Sequence, residues 1–187
     1  VDFRSALEYA AQQTGITLAE LSLEEVARHE QYQHRLAVLD EITAWSYKKL
    51  RDASNAESIV AWEFLMKRRG WSQEVIDAQS IGLLNIPELL QTLKIPKKNL
   101  ILAGLLNEKG NPICKKTRIF IPIKKGGRIV FWQARWFLES DSSYNPETKV
   151  GSKFLSPCKG PLEIGPGEWL YNCDVIQSSQ DVFVCKG

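Results

Sequence analysis

Between Arg118 and Phe137 the chain reads RIFIPIKKGGRIVFWQARWF. Three arginines, Arg118, Arg128 and Arg135, are interleaved there with Phe131, Trp132, Trp136 and Phe137. Guanidinium groups bind phosphate oxygens and flat rings stack on bases, so this mixture suits single-stranded nucleic acid. Arg118, Arg128 and Arg135 are the candidate phosphate contacts, and Trp132 and Trp136 the candidate stacking platforms. The bland alternative is a hairpin with one wet and one apolar face, its cationic tails packed along neighbouring rings.

Other chemistries find little support. Cys114, Cys158, Cys173 and Cys185 form no CxxC pair, and His29 and His34 are five residues apart. A zinc ion needs four ligands from compact spacings, so no metal site is expected in this chain. Glycine-rich phosphate loops and Ser/His/Asp or Cys/His sets of useful reach are absent, and paired acids such as Glu24 and Glu25 read as solvated charges. Net charge is +2, unevenly spread. Residues 1–60 carry six Lys/Arg against ten Asp/Glu, net −4, and residues 110–160 carry ten against three, net +7. An anionic partner for the basic part is the natural expectation. No export signal is visible at the start, and no stretch approaches the roughly 20 apolar residues a membrane span needs. A reduced, cytoplasmic protein with free thiols and no membrane partner is expected.

The elements that must position these residues fall into two parts. Residues 1–104 read as helical, starting with a helix over 2–14 that Gly15 ends. Ser22 and Glu25 form a capping box that opens a helix to about Arg51. Another helix runs from about Glu57 to Arg69, with Gly70 as its stop and Lys67, Arg68 and Arg69 suited to the negative end of its dipole. Ser72 caps a short helix to about Gln79, and two more short helices cover 87–93 and 96–103. Residues 105–180 read as β-rich. Two strands flank the Lys124-Lys125-Gly126-Gly127 turn, and strict alternation groups Ile129, Phe131, Gln133, Arg135 and Phe137 on one face, with Arg128, Val130, Trp132, Ala134 and Trp136 on the other. That division suggests one face under a helix and one working surface. A polar loop spans 139–151, a short strand 153–157, a turn-rich stretch 158–167 and a buried-type strand 181–185. The fold class is α+β: a helical N-terminal layer packed on a small, mostly antiparallel β-sheet. The start at Val1 without methionine, and the end directly after a strand, suggest an excised segment.

With these landmarks placed, the chain resembles the bacterial-type (DnaG-like) DNA primases, in the N-terminal subdomain of their RNA polymerase core. Asp2-Phe3 with Ala6 and Ala10 looks like the helix after the family's zinc-binding domain. Phe64 to Ile76 followed by Ile81-Gly82 is similar to "YLxxRGLSxExIxxFxIG". Ala103-Gly104-Leu105-Leu106 resembles "AGLL", Arg118 to Ile123 "RxxFPI", and Gly127 to Phe131 "GRVIGF", with Arg135 at the arginine that follows. Lys153-Phe154-Leu155-Ser156-Pro157 resembles "KYLNSP". Six pieces in order are specific where each alone is common.

The resemblance implies a part of an enzyme that copies single-stranded DNA into short RNA primers. Its partners would be the template, the RNA/DNA hybrid, ribonucleotides and a replicative helicase. Arg118, Arg135 and Lys153 fall at positions of the family's basic template track. Mg²⁺ or Mn²⁺ would be held by acids of the TOPRIM domain, whose first strand 181–187 would begin. Two departures stand out. Lys186, in Val184-Cys185-Lys186-Gly187, takes the place of the glutamate in "VEG", and an ammonium cannot ligate a hard cation. The basic "HKG" before "LYG" is not kept in the stretch from Gly165 to Tyr171. No catalytic residue is therefore expected in this chain, which alone would be inactive. The alternatives are a degenerate, non-catalytic primase-like protein that binds nucleic acid or a replication partner, and a helical interaction module.

Overall fold

The computed structural model describes residues 3–15, 22–137, 154–157 and 162. Lys153, Lys186, the 139–151 loop, the 158–167 turn apart from Leu162, the 181–185 strand, and Cys158, Cys173 and Cys185 lie outside them. In chain order the elements are α1 (Phe3–Thr14), α2 (Leu23–Leu50), α3 (Ala56–Glu63), a π turn (Phe64–Arg68), α4 (Gln73–Ala78), β1 (Gly82–Leu84), α5 (Ile86–Thr92), α6 (Lys97–Leu102), β2 (Arg118–Lys125), β3 (Arg128–Arg135) and β4 (Phe154–Leu155). This is the expected α+β class.

Local chemistry sets the helix ends. Ser22 and Glu25 make both halves of the capping box that starts α2, satisfying backbone donors that the first turn cannot pair. Asn55, Ser72 and Asn85 cap α3, α4 and α5 with side-chain oxygens. Gly15 and Gly70 take φ +69° and +65° where their helices stop, a conformation glycine reaches without steric cost.

The four strands form one sheet, antiparallel throughout, in the order β1-β2-β3-β4. β1, at Gly82-Leu83-Leu84, lies within a stretch whose sequence reads as helical; three buried residues are too few to show a strand period. The Lys125↔Arg128 pair closes on Gly126 and Gly127, both at positive φ, as a two-residue hairpin turn requires. Ile123 pairs with Phe131 but Lys124 with Ile129, so Val130 is an extra residue, a β-bulge. Strict alternation therefore fails in β3: Ile129 packs in the core with Trp132, while Val130 packs with Phe131.

Both faces of the sheet are covered, which corrects the expectation of one open working face. Phe120, Trp132 and Ala134 join Val38, Leu39 and Ile42 of α2 with Ile86, Leu89 and Leu100 of α5 and α6. Leu83 and Ile119, on the other face, join Ala61, Leu65 and Ile76. Each of these two clusters draws on residues from before and after position 104. α2 braces the sheet from β3 to β1. At one end buried Arg35 donates from Nη1 to the Val130 carbonyl at 2.6 Å and from Nε to the Leu102 carbonyl at 3.1 Å. At the other, a Cβ on Gly82 would lie 2.5 Å from the Ser46 carbonyl carbon. Lys49 of α2 reaches both carboxylate oxygens of Glu88 on α5, at 2.7 and 2.6 Å. Arg51 is stacked on Tyr47, 3.3 Å from the ring centroid, and bonded to Asp77. That guanidinium holds the Asp77 carboxyl below its ordinary value, with the Tyr47 hydroxyl assisting.

Candidate nucleic-acid interface

The helical segment ending at Gly70 does more than pack. At Phe64 the helix widens, so that the Arg69 amide donates to the Phe64 carbonyl five residues back, at 3.0 Å. A π turn re-aims the side chains that follow. Arg68 and Arg69 come to 6.0 and 5.7 Å from the Phe64 ring centroid. From β3, Arg135 approaches the same ring at 6.0 Å and lies 4.8 Å from the Phe154 ring of β4, its cross-strand neighbour. Phe137 sits 6.4 Å from Phe64 and ties it to the core. Glu63, the acid beside Phe64, is engaged by Lys67 at 2.8 Å. Arg135 Nε is buried with no hydrogen-bond partner among the described residues, and the rings help hold this cation in place.

A second cationic group lies at the same end of the sheet. Arg118 and Lys116 sit 5.2 and 5.3 Å from the Trp136 ring centroid. Cys114 Sγ accepts from the Arg118 Nε at 3.2 Å and from the Lys116 amide at 3.4 Å. Thr117, buried between them, donates to Glu57 at 2.7 Å and accepts from Asn85 at 3.0 Å, fixing the entry to β2. Arg135 pairs across from Ile119, so alternation puts the Arg118 and Arg135 side chains on opposite faces of the sheet.

The residues read from sequence are therefore separated. Arg118 and Arg135 share one end of the ribbon, each in its own cluster. Arg128 lies at the other end of β3, about 23 Å from Arg135 by strand rise, and donates to Gln33 at 3.3 Å. Trp132 cannot be a stacking platform: it is fully buried, with its indole N–H on the Ala103 carbonyl at 2.9 Å. Trp136, only 8% exposed beneath two cations, offers no open face either. Lys153 lies outside the described residues. Sequence reading missed Phe64, Arg68, Arg69, Lys116 and Phe154 as site residues. The Arg-Arg-Gly run was visible, but a helix C-terminus accounts for it equally well. A cleft of about 300 Å³ lined by Leu50, Arg51, Ile59, Trp62 and Gln73 includes none of the arginines of these clusters.

No protein-family model and no curated protein matches the sequence. Solved structures do match. A DnaG primase catalytic domain bound to ssDNA superimposes with TM-score 0.56 at 21% identity, over 80% of this chain and 46% of that one. The fold is that of the DnaG primase catalytic core. The RNA polymerase domain of Mycobacterium tuberculosis primase DnaG, in complex with double-stranded DNA, gives TM-score 0.53 at 19% identity over 70% and 40%. The zinc-binding and RNA polymerase domains of Aquifex aeolicus primase give 0.51 at 23% over 90% and 38%. The chain thus spans less than half the length of these primase structures. Among the described residues no group of three or more His, Cys, Asp or Glu is placed to hold a metal ion. Nor is any helix among them long and apolar enough to cross a membrane.

Proposed function

We propose that this chain is the template-binding part of a DNA primase, holding single-stranded DNA, and the RNA/DNA hybrid made on it, by phosphate contacts. The observation that carries this reading is the convergence of Arg68, Arg69 and Arg135 on Phe64, beside exposed Phe154, in a primase fold. A like fold bound to ssDNA supports it, as does the net +7 of residues 110–160. In this reading the strand passes the end of the sheet where Arg118 and Arg135 emerge on opposite faces, with Lys153 and Arg69 as further contacts. Catalysis, with ribonucleotides and Mg²⁺ or Mn²⁺, belongs to TOPRIM acids that Lys186 does not replace; a replicative helicase is the expected protein partner.

The test is a titration of single-stranded DNA at several salt concentrations. Binding is expected to weaken as salt rises, because each neutralised phosphate releases counterions. Replacing Arg118, Arg135 and Lys153 together by alanine lowers the affinity and reduces the log–log salt slope by about 0.7 per lost contact. An unchanged titration sinks the site assignment. The second reading is a non-catalytic primase-like binding protein, favoured by one observation: lysine at position 186. It predicts the same titration but no recovery of primer synthesis when Lys186→Glu is made in a chain that includes TOPRIM.

A further inference from the structure

α3 is inverted for a surface helix. Its small residues, Ser58 and Ala61, are buried, while Ile59 and Val60 stand 48% and 43% exposed. Single exposed apolar side chains are ordinary, but these border a cleft of about 300 Å³ between the end of α2, α3 and the start of α4. Leu50, Ala53, Ile59 and Trp62 give the cleft apolar walls, with room for a large side chain. Val75, two residues beyond the Gln73 that closes it, is exposed as well. Two acids, Asp52 and Glu63, also line the cleft. Bonds from Ser54 hold the Asp52 carboxyl below its ordinary value. Glu63 is held by Lys67 in an exposed i,i+4 pair, a bond that costs little to exchange. Arg51, in the same lining, is committed to Asp77 and Tyr47.

We propose that this cleft is a docking site for a basic amphipathic helix of another protein. That helix seats one large apolar side chain in the cleft and sets lysines or arginines against Asp52 and Glu63. The lining comes from helices and the turns that join them, so no strand edge is there to extend, and a helix laid in the groove is the mode that fits. Charge decides against a second copy, because a two-fold contact brings the acids of one chain against those of the other. The proposal uses neither arginine cluster and is independent of the nucleic-acid reading.

The probes are two synthetic helical peptides without tryptophan, sharing one stripe of leucine and phenylalanine and carrying lysine or glutamate elsewhere. They are titrated into this chain labelled with 5-fluorotryptophan. The lysine peptide is expected to bind and to move the Trp62 fluorine resonance, assigned through Trp62→Phe. Its preference over the glutamate peptide is roughly two- to thirty-fold, the worth of two exposed ion pairs. Asp52→Asn with Glu63→Gln, in which asparagine can still accept from Ser54, brings the two affinities together. Ile59→Gln, at an exposed position, weakens the lysine peptide roughly five- to hundred-fold, with the urea midpoint unchanged. A lysine peptide that does not bind, a Trp62 resonance that stays still, or equal affinities for both peptides in the parent overturns the site. So does full affinity in Ile59→Gln. Self-association of the chain that Ile59→Gln abolishes gives this face to a second copy and overturns the proposal equally.

Discussion

Trp132 fills the space between β3 and the α5–α6 layer, and its indole N–H satisfies the Ala103 carbonyl. Phe154, on β4, is 40% exposed instead. The difference gives a test at a single side chain. Trp132→Ala is expected to cost about 3–5 kcal/mol of stability, read by urea denaturation, while single-strand affinity measured on folded protein stays unchanged. A loss of affinity without a loss of stability would return Trp132 to the binding surface. Composition shows that arginines and rings share the 118–137 stretch, but not which rings meet water. That depends on what packs above each strand, and the bulge at Val130 alters the alternation besides. Arg69 shows the opposite problem: its position was read correctly as a helix end, and the π turn adds the contact with Phe64.

At the scale of elements, the capping residues made most helix ends legible. Ser22 with Glu25, Gly70, Ser72 and Pro87 mark boundaries through local hydrogen bonds and dihedral limits, which sequence carries directly. β1 was illegible because its pairing is non-local. Gly82 lies opposite Phe120 and against Ser46, both distant in the chain. The contact with Ser46 gives the second prediction. In Gly82→Ala the new methyl group meets α2 backbone that a rotamer change cannot clear, so a loss of about 1–3 kcal/mol is expected, read by thermal or urea unfolding. Wild-type stability in that variant would show that α2 is not seated on β1.

For the molecule as a whole, the sheet serves as a partition. Its faces hold two apolar cores, and the cations gather where β2 begins and β3 ends. On the reading proposed above, this end of the sheet grips the strand while TOPRIM acids activate the nucleotide. The purified chain with single-stranded template, ribonucleotides and Mg²⁺ or Mn²⁺ is therefore expected to make no RNA. Template-dependent product in that reaction would place catalysis in this chain and refute the division of labour proposed above.

Arg35 and the extra residue in β3 have a joint consequence for cooperativity. The bulge turns the Val130 carbonyl toward α2, and Arg35 occupies it from a position where a charge is otherwise costly. A chain that lost the bulge would leave this buried cation with the Leu102 carbonyl but without its 2.6 Å bond, and one that lost the arginine would take that donor from the Val130 carbonyl. The extra residue and the arginine, 95 residues apart, are thus coupled in energy, and removing both is expected to cost less than the sum of the separate losses.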